Sequence, residues 1–220
     1  MPAIAFFDLD KTLISRNSAT LWIRAEFAAG RVSTWQALHA FTYVLRYSLG
    51  FVAIEDTIRR SISVIAGQDE APMRARADRF YDDSIRRLIR PGARAALATH
   101  RAAGERLVLL TSSSNYMSER LSADLELDGY LCNRFEIDAE GRYTGRAVEP
   151  LCYGPGKVTL ASEYAVAHGS TLAEATFYTD SFADLPMLEA VARPVAVNPD
   201  PKLRRTARQR GWPVVDWGRP

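Results

Sequence analysis

The chain has 220 residues, with 47% hydrophobic and 25% charged side chains, enough apolar mass to bury a core and too much for global disorder. Lys and Arg number 28 against 26 Asp and Glu, a net charge of +2, so no field of one sign points to a nucleic-acid or membrane partner. Two cysteines, Cys132 and Cys152, exclude a disulfide scaffold and a multi-cysteine zinc site, and suit a reducing compartment.

The N-terminal Met-Pro-Ala-Ile-Ala-Phe-Phe-Asp has neither the basic start nor the cleavage site of a secretory signal. The most apolar stretch, Trp35 to Ile54, is interrupted by Gln36, His39, Arg46 and Gly50, whereas a spanning helix needs ~20 mostly apolar residues. The expectation is a cytoplasmic protein without stable membrane insertion.

In chain order, Ala3–Phe7 is a short apolar run that ends in Asp8, the pattern of a buried strand with a polar residue at its C-terminal end. From residue 16 to 88 the texture is helical throughout, too long for one crossover, and is read as an inserted helical subdomain. Within it Gln36, His39, Thr42 and Arg46 form a polar stripe on an otherwise apolar helix, either solvated or turned toward a substrate. Pro91-Gly92 opens a helix through Leu97. Arg106–Leu110 is a second buried strand, ending in Thr111-Ser112-Ser113-Ser114, and Met117–Leu125 is helical. A weaker strand lies near Phe135–Ile137. Lys157–Ala167 is a helix entered through Gly154-Pro155-Gly156. Thr176–Thr179 is a third strong strand, ending in Asp180, followed by a helix over Leu185–Val191 and a last strand, Val195–Val197. Strands alternating with helices predict a doubly wound, Rossmann-like parallel sheet. The divisions expected are a core of 1–15 and 89–220 and a helical cap of 16–88.

In such a sheet ligands bind beyond the carboxyl ends of the strands, where Asp8, Thr111 and Asp180 fall. Four pieces occur in order: Asp8-Leu9-Asp10-Lys11-Thr12, Thr111, Lys157, and Asp180 with Asp184. Each alone has a structural explanation, such as a helix cap or a solvated lysine. Together they suit phosphoryl transfer through a covalent intermediate. Asp8 attacks phosphorus. Mg²⁺, held by Asp8, Asp180 and a backbone carbonyl, with Asp10 in the metal-binding set, offsets the charge. Lys157, Thr111 and Ser112 hold phosphate oxygens. Asp10 donates a proton to the leaving alcohol and then takes one from water. Asp184 supports the metal's waters or Lys157, and Thr12 orients Asp10 or ties the turn.

These stretches resemble the four motifs of the haloacid dehalogenase superfamily of phosphohydrolases: Phe6-Phe7-Asp8-Leu9-Asp10-Lys11-Thr12-Leu13, Leu109-Leu110-Thr111-Ser112-Ser113, Gly156-Lys157, and Tyr178-Thr179-Asp180-Ser181-Phe182-Ala183-Asp184-Leu185. The helical insert is similar to the cap of the phosphoserine-phosphatase-like branch, subfamily IB, and the resemblance covers about residues 3–15 and 89–217 by motif placement. It implies a Mg²⁺-dependent phosphatase acting on a small phosphorylated metabolite, with Asp8 as nucleophile and Asp10 as acid/base. Position 11 is Lys where many relatives have Gly, a variation at the turn surface. Phosphoserine phosphatases place a Glu after the first motif to hold the substrate amine. Here the matching position is Asn17, which argues against phosphoserine. Asn17 and Arg46 are the cap positions expected to contact substrate.

Two other readings share the chemistry. A phosphotransferase would pass the same intermediate to another alcohol. A phospho-aspartate signalling switch would use Asp, Thr and Lys around Mg²⁺, but lacks this DxD element and this insert. The chain is expected to be a monomer or homodimer with no nucleic-acid partner.

Overall fold

A computed structural model describes residues 3–31 and 54–220. Its centre is a six-stranded sheet in the order β3-β2-β1-β6-β7-β8, with every neighbouring pair parallel. The strands are β1 (Ile4–Phe7), β2 (Arg106–Ser114), β3 (Gly129–Asn133), β6 (Thr176–Thr179), β7 (Arg193–Val197) and β8 (Val214–Val215). A separate antiparallel pair, β4 (Phe135–Ile137) and β5 (Tyr143–Ala147), forms a hairpin. The eight α-helices of the described residues are α1 (Ser18–Ala28), α2 (Ile54–Ser63), α3 (Glu70–Phe80), α4 (Pro91–Ala102), α5 (Asn115–Asp124), α6 (Pro155–Ala167), α7 (Leu185–Ala190) and α8 (Pro201–Arg210).

The strands are apolar on both faces because helices cover both. Successive side chains alternate, so Ala5, Phe7, Leu107 and Leu109 join one core layer with Ala93 and Leu97 of α4 and Leu121 of α5. Ile4, Phe6, Val108, Leu110 and Phe177 join the other with Ala161 and Ala165 of α6, Met187 of α7, and Leu203 and Ala207 of α8. All four residues of β1 are fully buried. Each large apolar side chain buried there contributes roughly 1.5–3 kcal/mol. β1 therefore sits rigidly in mid-sheet, and the residue that follows it is held to the same precision.

The chain leaves this sheet after the first strand and returns beside itself. Ile14 and Ile89 form an isolated bridge, Ser15 N–H donates to the Leu88 carbonyl (2.9 Å) and Arg90 N–H to the Leu13 carbonyl (2.9 Å). Between these points the regular elements of the described residues are helical: α1, α2, α3 and two irregular helical turns over 81–88. The hairpin adds to this layer. Gly67 N–H donates to the Tyr143 carbonyl (2.8 Å) and Tyr143 N–H to the Gln68 carbonyl (3.0 Å). The Gln36, His39, Thr42 and Arg46 stripe lies outside the described residues.

Several expectations need correction. β2 does not stop at Leu110 but runs through Ser114, because Ser114 pairs with Asn133 of β3 past an irregularity in the register. β3, β5 and β8 were not expected, and Phe135–Ile137 belongs to the hairpin rather than to the main sheet. Among the described residues no helix is long and apolar enough to cross a membrane.

Candidate active site

Asp8 follows β1 directly, and its N–H donates to the Tyr178 carbonyl of β6 (2.9 Å). That bond brings the ends of β1 and β6, and with them Asp8 and Asp180, side by side. Beyond Asp8 the chain makes one irregular turn, Leu9–Leu13, closed by Leu13 N–H to the Asp8 carbonyl (3.3 Å) and Ile14 N–H to the Leu9 carbonyl (3.1 Å). Leu9, Thr12 and Leu13 point into the core while Lys11 stays exposed. Lys11 has φ +59°, the left-handed region that costs a side chain roughly 1–2 kcal/mol. Glycine would hold this conformation without that cost, so Lys11 is more than a variation at the turn surface.

Lys157 sits at the start of α6 and is 1% exposed. Its Nζ donates to Asp8 Oδ1 (2.8 Å) and to Asp184 Oδ2 (2.9 Å). Thr179 Oγ1 donates to the same Asp184 oxygen (2.6 Å), so Asp184 orients the lysine and is itself held by β6. Thr111 is buried, and its Oγ1 accepts from Ser113 N–H (3.1 Å). The Ser112 carbonyl accepts from Asn133 Nδ2 (2.7 Å), and Asn133 Oδ1 accepts from Cys152 N–H (2.8 Å). Asn133, 2% exposed, thus braces the 111–114 segment against the loop leading to Lys157. Sequence reasoning missed it, since an Asn near a strand end looks like any turn residue.

Asp10 turns away from Lys157 toward the helical insert. Its Oδ1 accepts from Ser18 N–H (2.7 Å) and its Oδ2 from Asn17 Nδ2 (3.3 Å). Asn17 is also the N-cap of α1, its Oδ1 accepting from Thr20 N–H and Thr20 Oγ1 (2.9 Å each). Asn17 therefore meets Asp10 directly. Thr12 does not orient Asp10 as expected: it is fully buried, and its Oγ1 has no hydrogen-bond partner among the described residues. The main chain of Ser18 and the Asn17 amide take that part. Arg46 lies outside the described residues.

Four carboxylates, Asp8, Asp10, Asp180 and Asp184, lie near one another, and the one buried ammonium bonds to two of them, Asp8 and Asp184. Burial raises Asp8 to about 7 against the pull of Lys157, with Asp184 and Asp10 adding to the rise. Burial and then the Asp8 charge raise Asp180 to about 8, and burial raises Asp10. Such an excess of negative charge fits a hard divalent cation. Among the described residues no three acidic, His or Cys side chains group tightly enough to hold a metal by themselves. The donor set that fits is two carboxylates, Asp8 and Asp180, completed by main-chain oxygen and water, the mixed shell Mg²⁺ prefers.

Cys132 and Cys152 are both free and buried. Burial raises both thiols, Cys132 to about 11.

A family model described as haloacid dehalogenase-like hydrolase matches residues 5–189. The chain is 34% identical over 220 residues to the "Inhibition of morphological differentiation protein" of Streptomyces azureus, covering 98% of this chain and 79% of that protein. It is 33% identical over 222 residues to "Phosphoserine phosphatase SerB1" of Mycobacterium tuberculosis, covering 99% and 71%. A solved structure of a protein of unknown function from Bordetella pertussis superposes with a TM-score of 0.90 at 30% identity, covering 99% of this chain and all of that one.

Proposed function

The chain belongs to the haloacid dehalogenase-like hydrolase family and is one of its phosphatases, and on that footing we propose that it hydrolyses a small organic phosphomonoester in the cytoplasm, with Asp8 as nucleophile and Mg²⁺ as cofactor. The observation that carries this reading is the convergence on Asp8. Its carboxylate is 2.8 Å from the Lys157 ammonium, at the end of a fully buried strand and beside Asp180. Asp8, Asp180 and the main-chain carbonyl of Asp10 would hold Mg²⁺, which supplies charge compensation for the approach of a carboxylate to a phosphate dianion.

The chain's own residues supply the rest. Lys157, the Thr111 hydroxyl and the Ser112 main chain hold the phosphoryl oxygens in line with Asp8. An Asp8 oxygen forms a bond to phosphorus as the bond to the alcohol oxygen breaks. Asp10 delivers a proton to that departing oxygen. Its Oδ1 is anchored by Ser18 at 2.7 Å, which leaves the more loosely held Oδ2, 3.3 Å from Asn17, to carry the proton. In the second half, water attacks the aspartyl phosphate while Asp10 takes its proton. The Asp8–phosphorus link breaks and phosphate leaves. The insert that supplies Asn17 and Ser18 is read as a cap that excludes bulk water.

At position 17 there is no carboxylate for a substrate ammonium, and the amide that stands there is spent on Asp10 and Thr20. The substrate's contacts with the insert are therefore read as independent of an amine at this position.

The decisive test is Asp8→Asn with a generic aryl phosphate and Mg²⁺. Turnover is expected to fall by at least about 10³-fold with the fold retained. A variant with near-normal turnover would end the proposal. Recovery of the phosphoryl group on an added alcohol rather than on water would make the enzyme a transferase.

A further inference from the structure

A cavity of about 510 Å³ opens at the C-terminal ends of β7 and β8. Arg90, Asn198, Arg204, Asp216, Gly218 and Arg219 line it, and none of the residues grouped around Asp8 does. Three arginines face one aspartate, leaving two positive charges in excess. The aspartate is already engaged: Asp216 Oδ1 accepts from Asn198 Nδ2 and from Gly218 N–H.

The arginines are compensated less directly. Arg90 is 6% exposed, and its guanidinium donates to two neutral carbonyls, Nε to Lys11 (3.2 Å) and Nη1 to Gly218. Neither Arg90, Arg204 nor Arg219 forms an ion pair with a carboxylate among the described residues. Burial disfavours the Arg90 charge, Asp216 and Asp180 offset part of that cost, and Arg219 adds a weaker repulsion. Arg90 is the buried cation of the three, and it feels those carboxylates without a direct ion pair, so an anion in closer contact would compensate it better. Arg90 is the N-cap of α4, and Arg204 stands four residues after Asp200, the N-cap of α8, whose carboxylate accepts from Leu203 N–H.

We propose that this cavity binds phosphate or a small phosphorylated molecule at a site separate from the catalytic centre. Arginine's planar fork matches phosphate oxygens two at a time, and a doubly charged oxyanion neutralises the excess. The volume falls in the range of small-molecule sites and admits a phosphate bearing a modest organic body. The site is coupled to the proposed chemistry through one side chain, because the carbonyl that Arg90 Nε holds belongs to Lys11, between Asp10 and Thr12.

The test is calorimetric titration with inorganic phosphate in EDTA, at ionic strength matched with chloride, which needs neither metal nor turnover and so is independent of the proposed hydrolysis. Wild-type protein is compared with Arg204→Gln/Arg219→Gln and with Arg219→Glu. Both arginines are exposed and unpaired, so thermal unfolding should report folded variants. Phosphate affinity is expected to fall by at least about tenfold in the double variant and further with the reversed charge. Isotherms that superimpose on wild type would place the phosphate in the catalytic centre, and absence of binding to wild type would leave the cavity without a ligand; either result overturns the proposal.

Discussion

Lys157 Nζ bridges Asp8 and Asp184 at 2.8 and 2.9 Å, joining the end of β1 to the turn after β6 through the first turn of α6. One ammonium thus serves two carboxylates, while Asp180 beside them has none. In the metal-free protein burial first, and then the neighbouring carboxylates, raise Asp8 to about 7 and Asp180 to about 8 from an ordinary 3.8. A carboxyl with a raised folded value holds its proton more tightly folded than unfolded. Its contribution to stability is complete below the unfolded value, near pH 4, and is lost as pH rises through 7 and 8. In EDTA the melting temperature should therefore fall by at least about 5 °C from pH 5 to pH 8, and Mg²⁺ should restore more of it at pH 8 than at pH 5. Scanning fluorimetry on a pH series decides this. A flat profile indifferent to Mg²⁺ would mean that the carboxylates are not in conflict.

Asn17 separates a positioning role from a substrate contact. Asn17→Ala removes both the α1 cap and the bond to Asp10 Oδ2, with a stability loss of about 1 kcal/mol. Asn17→Asp keeps the cap but sets a second carboxylate against Asp10. The aspartate variant should melt near wild type yet lose at least about tenfold in kcat, with KM little changed. An effect confined to KM would make residue 17 a substrate contact instead.

The strands that carry this machinery were legible because each is a short apolar run ending in a polar residue: Ile4–Phe7 before Asp8, Thr176–Thr179 before Asp180. What escaped had weak local signals. Gly129–Asn133 reads Gly-Tyr-Leu-Cys-Asn, with no alternation, and becomes a strand only because β2 offers its free edge. Val214–Val215 is two residues long and exists through its pairing with Ala196 and Val197. Tyr143–Ala147 carries an interior Gly145 at φ +82°, which reads as a turn. In the site, the motif aspartates and Lys157 were readable from spacing. The link from Asn17 to Asp10 was not, because it depends on how α1 leaves the turn. Arg90 also escaped, since its partners Lys11 and Gly218 lie 79 and 128 residues away.

Gly156 is required by close approach. A Cβ there would lie 1.9 Å from the Leu151 carbonyl oxygen, a backbone atom that cannot step aside without moving the loop that delivers Lys157. Gly156→Ala should lose roughly 1–3 kcal/mol of stability. Turnover should fall as well, because displacing the start of α6 moves the Lys157 ammonium off Asp8. Chemical denaturation together with steady-state kinetics tests both effects. Wild-type behaviour in both would show that the loop yields without cost.

Asn133 links the 111–114 segment to the loop that carries Cys152, and one substitution reads both. Its amide donates to the Ser112 carbonyl and accepts from Cys152 N–H, at 2.7 and 2.8 Å, in a buried setting. Asn133→Ala leaves one carbonyl and one N–H without partners, each costing about 1–3 kcal/mol. Cys152 is fully buried, its thiol is pushed up by burial, and its Sγ donates to the Leu131 carbonyl (3.4 Å), so it should resist thiol reagents in the native wild type. Freeing its N–H loosens the loop, so Asn133→Ala should label faster at neutral pH and hydrolyse aryl phosphate more slowly, through a displaced Ser112 main chain. Asn133→Asp retains an acceptor for Cys152 but sets a carboxylate oxygen against the Ser112 carbonyl. Its labelling should stay closer to wild type while its turnover falls with that of the alanine variant. Equal labelling in all three proteins would remove Asn133 from any role in holding the two segments together.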